Sequence, residues 1–149
     1  MGGRLVSCGE ENLLRLADGR YRGRDICVHE FSHCIRNFGI TPKLRARFDD
    51  QYRRSLAKGL WRGAYAATNP DEFFAELSRW YFGTHGDLGA EGAKPKIGRE
   101  DLLDYDAEAY VLFYEFNGGE RNSDARKWGE LGGPLASRRR GRDAACTGG

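Results

Sequence analysis

Apolar residues recur at helical spacing along most of the chain, and helix-ending or helix-starting residues separate the periodic segments. Gly39 follows one apolar segment, at the position where glycine commonly ends a helix. Thr41-Pro42 and Asn69-Pro70 each join an N-capping side chain to proline at a first helical position. Asp106 is a further candidate N-cap. The pattern therefore predicts helices over about 10–16, 24–38, 42–58, 70–82 and 107–116.

Strand signals are few. Leu5 to Cys8 is a short apolar run that could form an edge strand, and the glycine-containing segment 84–98 is typical of a loop. From about residue 118 the chain is rich in Gly, Arg and Ser, which predicts a disordered tail. The predicted fold is mainly α (α+β), with one domain over 1–117 and a Gly/Arg-rich tail over 118–149.

One predicted helix carries His29-Glu30-Phe31-Ser32-His33, a match to the H-E-x-x-H motif in the helical context it requires. Residues four apart lie one turn above each other, so both imidazoles can reach one Zn²⁺ ion. Glu30 points about 100° away around the helix axis, off the metal but beside a water that the metal acidifies. The motif predicts one catalytic zinc ion bound by His29 and His33, with Glu30 as general base.

A helical-wheel projection separates the two sides of this helix. One side is apolar and is predicted to face the core, while His29 and His33 lie nearly opposite, where a cleft could form. The apolar side consists of Cys27, Phe31, Cys34, Ile35 and Phe38.

A catalytic zinc site needs a third protein ligand and an open position. Arg36 and Gly39 stand where the extended H-E-x-x-H-x-x-G-x-x-H motif has glycine and histidine, which excludes that subclass. The remaining candidates are His85, in a predicted loop, and Glu72 and Glu76, on the predicted 70–82 helix.

The residue pattern alone leaves the role of the two glutamates open. Glu72 and Glu76 could form an ordinary solvated stripe with Arg79. Glu72 is also three residues after Asn69, where it could complete a capping box.

The HEFSH segment, together with Tyr65 and the downstream Asn69-x-x-Glu72-Phe73-Phe74-Ala75-Glu76, resembles the lethal factor-type zinc metallopeptidases, which belong to the gluzincin group. The resemblance covers about Leu5 to Phe116, and only these two motif blocks are specific. It implies a zincin-like helical catalytic lobe in which Glu72 is the third ligand. It further implies that Glu76 orients a ligand histidine and that Tyr65 donates a hydrogen bond to the developing oxyanion or leaving group.

The predicted function is zinc-dependent hydrolysis of peptide bonds in a peptide or protein substrate. An inactive, zinc-binding peptidase-like interaction domain is the alternative. The net charge of +2 and pI near 8.4 do not indicate a nucleic-acid partner. No membrane-spanning segment or signal peptide is predicted, and the family resemblance would imply secretion. Substrate preference, oligomeric state and localisation stay open.

The four cysteines are Cys8, Cys27, Cys34 and Cys146, without a C-x-x-C pair. Cys27 and Cys34 are about 10 Å apart along a helix, too far to bond to each other. The projection treats both as small core residues, and the redox compartment stays open.

Overall fold

The computed structural model describes residues 6–14, 16, 24–84 and 98–118. These residues are mainly helical, at 72%, and contain no β-strand, which confirms the mainly α fold class. The helices are α1 (Glu10–Leu13), α2 (Ile26–Cys34), α3 (Pro42–Ala57), α4 (Pro70–Tyr81), α5 (Arg99–Tyr105) and α6 (Ala107–Phe116). A π-helical turn, Ile35–Gly39, continues α2, and a 3₁₀ turn, Tyr65–Ala67, precedes α4.

Thr41 and Asp106 cap the helices that follow them, as the sequence predicted. Thr41 Oγ1 accepts a hydrogen bond from the backbone N–H of Leu44 at 3.2 Å, and Asp106 Oδ1 accepts one from Ala109 at 3.1 Å. The sequence pattern did not predict helix α5. The residue before it is Gly98, which has no side chain to cap the helix, so its start lacks the signal that marks α2, α3, α4 and α6.

The predicted edge strand at 5–8 is not observed in its described part, because Val6 to Cys8 have no regular secondary structure. A disulfide joins Cys8 to Cys27 instead, so Cys27 is not the free core residue that the projection suggested. Such a cross-link stabilises the fold mainly by restricting the unfolded chain. His85, most of the predicted loop 84–98 and the tail beyond Gly118 lie outside the described residues.

Helix α4 is the central element, and α2, α3 and α5 all pack against it. Every residue from Phe73 to Tyr81 is buried, as expected of a helix with neighbours on several sides. Its aromatic side chains meet rings from α3 and from the segment after α3 in edge-to-face contacts. These pairs are Phe48–Phe74, Trp61–Phe73 and Trp61–Trp80, with ring centroids 4.8, 5.4 and 5.3 Å apart.

The orientation of α2 is opposite to the one the helical wheel predicted. Phe31 and Phe38 are 60% and 67% exposed, whereas His29 is only 7% exposed and faces α4. Ser32 and Arg36, on the same side as His29, are also buried. The projection was wrong because it assumed that the apolar side would be buried. Polar partners on α4 make the other side the buried one, since buried polar groups are stable where they are paired.

The chain divides into two compact units, Met1–Phe113 and Tyr114–Gly149, and His29, His33 and Glu72 belong to the first. The predicted boundary between a domain and a tail near residue 117 stays a prediction. None of the described helices is long and apolar enough to cross a membrane.

Candidate metal centre

Helix α2 holds the motif histidines, and several contacts anchor its first turn. Asp25 caps the helix by accepting a hydrogen bond from Val28 N–H at 3.0 Å. Asn12 Oδ1 accepts one from Ile26 N–H at 2.8 Å, and the Cys8–Cys27 disulfide attaches the N-terminal segment to the same turn. Three contacts therefore hold the turn before His29.

Helix α4 brings Glu72 to the histidines from its own first turn. Asn69 Oδ1 accepts hydrogen bonds from the backbone N–H groups of Asp71 and Glu72, both at 2.9 Å. Because the side chain of Asn69 satisfies these donors, the helix begins at Pro70 and its first turn contains Glu72. Glu72 and Glu76 lie one turn apart and both face α2.

Three candidate ligand atoms form a nearly regular triangle. The Nε2 atoms of His29 and His33 are 3.2 Å apart, and Glu72 Oε2 lies 3.1 Å from the first and 3.5 Å from the second. A tetrahedral zinc ion with ligand bonds of about 2.0–2.1 Å has ligand atoms about 3.3–3.4 Å apart. The triangle is therefore of the size that one zinc ion requires. His29, His33 and Glu72 are also the cluster among the described residues whose ligand atoms could hold a metal together.

Glu72 Oε2 provides a second observation that fits a metal ion. It is buried, and it lies 3.1 Å from His29 Nε2 and 3.5 Å from His33 Nε2. A buried carboxylate is costly unless it is paired, and a cation shared with the two imidazoles would satisfy it. The solvated-stripe interpretation is wrong, since the side chains of Glu72 and Glu76 are only 16% and 6% exposed.

Glu76 contacts the other nitrogen of the first histidine. Its Oε1 atom lies 2.9 Å from His29 Nδ1, and Arg79 Nη1 donates a hydrogen bond to the same oxygen at 2.7 Å. A carboxylate at Nδ1 leaves the Nε2 lone pair of the neutral ring free to bind a metal. The resemblance implied this contact for Glu76. The hydrogen bond from Arg79 to Glu76 was not predicted from the sequence.

The acidic neighbours dominate the electrostatics of the site without metal. Burial alone would lower the pKa of His29, but hydrogen bonds with Glu72 and Glu76 outweigh it and raise that pKa to about 9. Burial would raise the pKa of Glu72, but the hydrogen bonds with His29 and His33 outweigh it and lower that pKa to about 2. At neutral pH the metal-free site therefore holds a protonated His29 between two carboxylates.

We expect zinc binding to release the proton from His29, because a protonated imidazole cannot bind a metal. Between the ordinary histidine pKa of 6.5 and the raised pKa of about 9, the apparent zinc affinity should rise by about tenfold per pH unit. Calorimetric titration in buffers of different ionisation enthalpy counts the released protons. A Glu76→Gln variant is the control, since losing one carboxylate should lower the pKa of His29 and reduce proton release at pH 8. Equal proton release by both proteins would contradict this assignment.

Glu30 and Tyr65 lie on the open side of the site. Tyr65 is 57% exposed, and its ring centroid is 6.2 Å from that of His29. Partial burial and the negative charge of Glu72 raise the pKa of Tyr65, and the charges of Glu76 and Glu30 add to this effect. Glu30 is half-exposed, and no hydrogen bond or ion pair of its carboxylate is found among the described residues. A substrate can therefore reach both side chains, although the Tyr65 hydroxyl also forms a hydrogen bond with Glu72.

The segment that leads to Tyr65 is held rigidly by Trp61. Trp61 has a φ of 63°, in the left-handed region that residues with side chains rarely adopt. Its backbone N–H donates to Tyr105 Oη at 2.6 Å and its indole Nε1 to Asp106 Oδ2 at 2.9 Å. These two hydrogen bonds therefore stabilise the unusual backbone that precedes the 3₁₀ turn of Tyr65.

Comparisons with protein-family models, with curated proteins and with solved structures find no match to this chain.

Proposed function

We propose that this protein is a zinc-dependent metalloendopeptidase. The observation that carries the proposal is the triangle of His29 Nε2, His33 Nε2 and Glu72 Oε2, with sides of 3.1 to 3.5 Å. Two imidazoles and one carboxylate are a common ligand set of catalytic zinc in peptidases, and they leave a fourth position open for solvent or substrate. The H-E-x-x-H motif adds a carboxylate, Glu30, at the position such chemistry needs.

When bound, zinc would act as a Lewis acid that polarises the scissile carbonyl and lowers the pKa of water. Glu30 has the role of proton carrier. Its half-exposed carboxylate accepts a proton from the attacking water and then donates that proton to the leaving amine. Its lack of a competing hydrogen bond among the described residues suits this exchange.

Tyr65 supplies a hydrogen bond to the oxyanion that develops on the substrate. The phenol is protonated at neutral pH already at the ordinary tyrosine pKa of 10.0, and the raised pKa keeps it protonated, so it can act as a donor. A donor aimed at developing negative charge is usually among the largest contributions to catalysis of this kind. Glu76 orients His29 from the opposite side, 2.9 Å from Nδ1. These roles agree with the resemblance to lethal factor-type peptidases in the gluzincin group.

One observation favours the alternative of a zinc-binding domain without peptidase activity. The described residues contain no strand, whereas an exposed strand edge is a common way to hold an extended peptide. Under this alternative, the zinc site would stabilise the packing of α2 on α4 and a protein partner would be bound without turnover.

The proposal is tested on the full chain, purified without added metal. We expect about one zinc ion per chain by elemental analysis, and cleavage of a mixed peptide library read by mass spectrometry. A strong chelator should abolish cleavage, and added zinc should restore it. Stoichiometric zinc without any cleavage would favour the alternative function, whereas protein that contains no zinc and takes up none would overturn both.

The Cys8–Cys27 disulfide suggests where the peptidase acts. Disulfides persist in oxidising compartments and are rare in the cytosol, so this cross-link supports a secreted or otherwise extracytoplasmic location. Secretion is also what the family resemblance implied.

A further inference from the structure

Arg36 is a buried cation near the site that the proposed chemistry does not use. It is 3% exposed, and it lies in the π-helical turn that continues α2. Its Nε donates a hydrogen bond to Asp71 Oδ1 at 2.5 Å, and its Nη2 donates one to Asp49 Oδ1 at 2.5 Å. Asp49 belongs to α3 and Asp71 to the first turn of α4. One guanidinium group therefore joins three helices.

The position of Arg36 relates it to all three candidate ligands. It follows His33 by three residues and His29 by seven, so it lies on the same side of the helix as both. Its partner Asp71 immediately precedes Glu72, and the two backbone N–H groups share Asn69 Oδ1 as acceptor. A displacement of Asp71 would therefore displace the backbone of Glu72.

We infer that Arg36 is a positioning residue of the metal centre, which sets the distance between the histidine pair of α2 and Glu72 of α4. This inference rests on the proposed zinc site. Helices that pack through side chains alone can slide by fractions of an ångström, which a ligand triangle with sides near 3.3 Å tolerates poorly. The two ion pairs of Arg36 oppose such sliding at the end of α2 that is nearest to His33.

The chemistry of arginine explains why this residue is suited to the role. A planar guanidinium offers several N–H donors in fixed directions, so it can bind carboxylates from two helices at once. A lysine ammonium carries the same charge but does not fix two partners in one plane. The side chains of Asp49 and Asp71 are 30% and 54% exposed, and ion pairs with exposed carboxylates contribute little to stability. Fixed geometry, more than stability, is therefore what Arg36 contributes.

The test compares the zinc affinity of the full chain with that of Arg36→Met and Arg36→Lys. Affinity is measured by competition with a chromophoric chelator, and the d–d spectrum of the Co²⁺-substituted protein reports ligand geometry. We expect the zinc dissociation constant to rise by about tenfold in Arg36→Met, the size of effect known for groups that support metal ligands. The zinc dissociation constant of Arg36→Lys should lie between those of Arg36→Met and the wild type. The cobalt spectra of both variants should differ from that of the wild type.

The sign of the effect distinguishes positioning from simple electrostatics. Removing a positive charge near a Zn²⁺ site would by itself tighten binding, whereas loss of positioning weakens it. Arg36→Lys keeps the charge, so a loss of affinity there reports geometry alone, and it remains informative if Arg36→Met does not fold.

Two controls separate the effect from general destabilisation. Leu102→Ala removes a fully buried side chain of α5 and should lower stability without changing zinc affinity. Arg53→Met removes an exposed arginine paired with Asp50 and should change neither. If the wild type binds zinc and both Arg36 variants keep its affinity and cobalt spectrum, the positioning role is wrong while the proposed function stands. A wild type that binds no zinc overturns both.

Discussion

Replacing Glu30 by glutamine should lower the rate of peptide hydrolysis by about 10²–10⁴-fold, the contribution typical of a general base. Glutamine has nearly the same size but cannot accept the proton from water. Glu30 makes no described contact with His29, His33 or Glu72, so the ligand set should remain intact. Zinc content measured by elemental analysis should therefore stay at the wild-type level while kcat falls.

Glu100→Gln is the matched control, because Glu100 is an exposed glutamate on α5. It should leave both zinc content and hydrolysis unchanged. If Glu30→Gln retained the wild-type rate, Glu30 would not be the base. A parallel loss of zinc would instead show that Glu30 supports the metal and has no direct role in proton transfer.

Replacing Glu72 by alanine should have the largest effect on metal binding. It removes the only carboxylate of the ligand triangle and leaves the Nε2 atoms of the two imidazoles, 3.2 Å apart, without a carboxylate beside them. The zinc dissociation constant should rise by more than the roughly 10–100-fold expected for loss of a supporting group such as Glu76. Competition with a chromophoric chelator measures the zinc affinities of Glu72→Ala and Glu76→Gln on the same scale.

The order of these two effects is the decisive result. Glu72→Ala should weaken zinc binding more than Glu76→Gln does, because the first removes a ligand and the second removes a group that orients one. Glu108→Ala, on the exposed side of α6, is the control that should leave zinc affinity unchanged. The reverse order would mean that Glu76, not Glu72, binds the metal, and the proposed site would need a different third ligand.

The sequence predicts the α2 part of the metal centre more fully than the α4 part. His29, Glu30 and His33 lie within one helix, and their spacing defines their relative directions once the helix forms. Glu72 is more than 35 residues away in sequence, and local patterns left three interpretations of it open. Only the resemblance favoured a ligand role, and the folded arrangement places its Oε2 atom 3.1 Å from His29 Nε2.

The sequence by itself determined the structural elements that depend only on interactions between residues close together in the chain. These are the helices over α2, α3, α4 and α6, their caps at Thr41, Asn69 and Asp106, and the one-turn spacing of the motif histidines. Each follows from backbone hydrogen bonding and side-chain periodicity within a few residues.

Only the tertiary structure decided which side of α2 is buried and which distant side chains meet there. The helical wheel assigned Phe31 and Phe38 to the core, yet both are exposed, and His29 and Arg36 are buried in their place. Whether burial of a polar group is favourable depends on its partner, and here the partners come from α3 and α4. The pattern of apolar and polar residues along the chain does not identify those partners, because they are distant in sequence. The ligands are therefore brought together only when the chain folds.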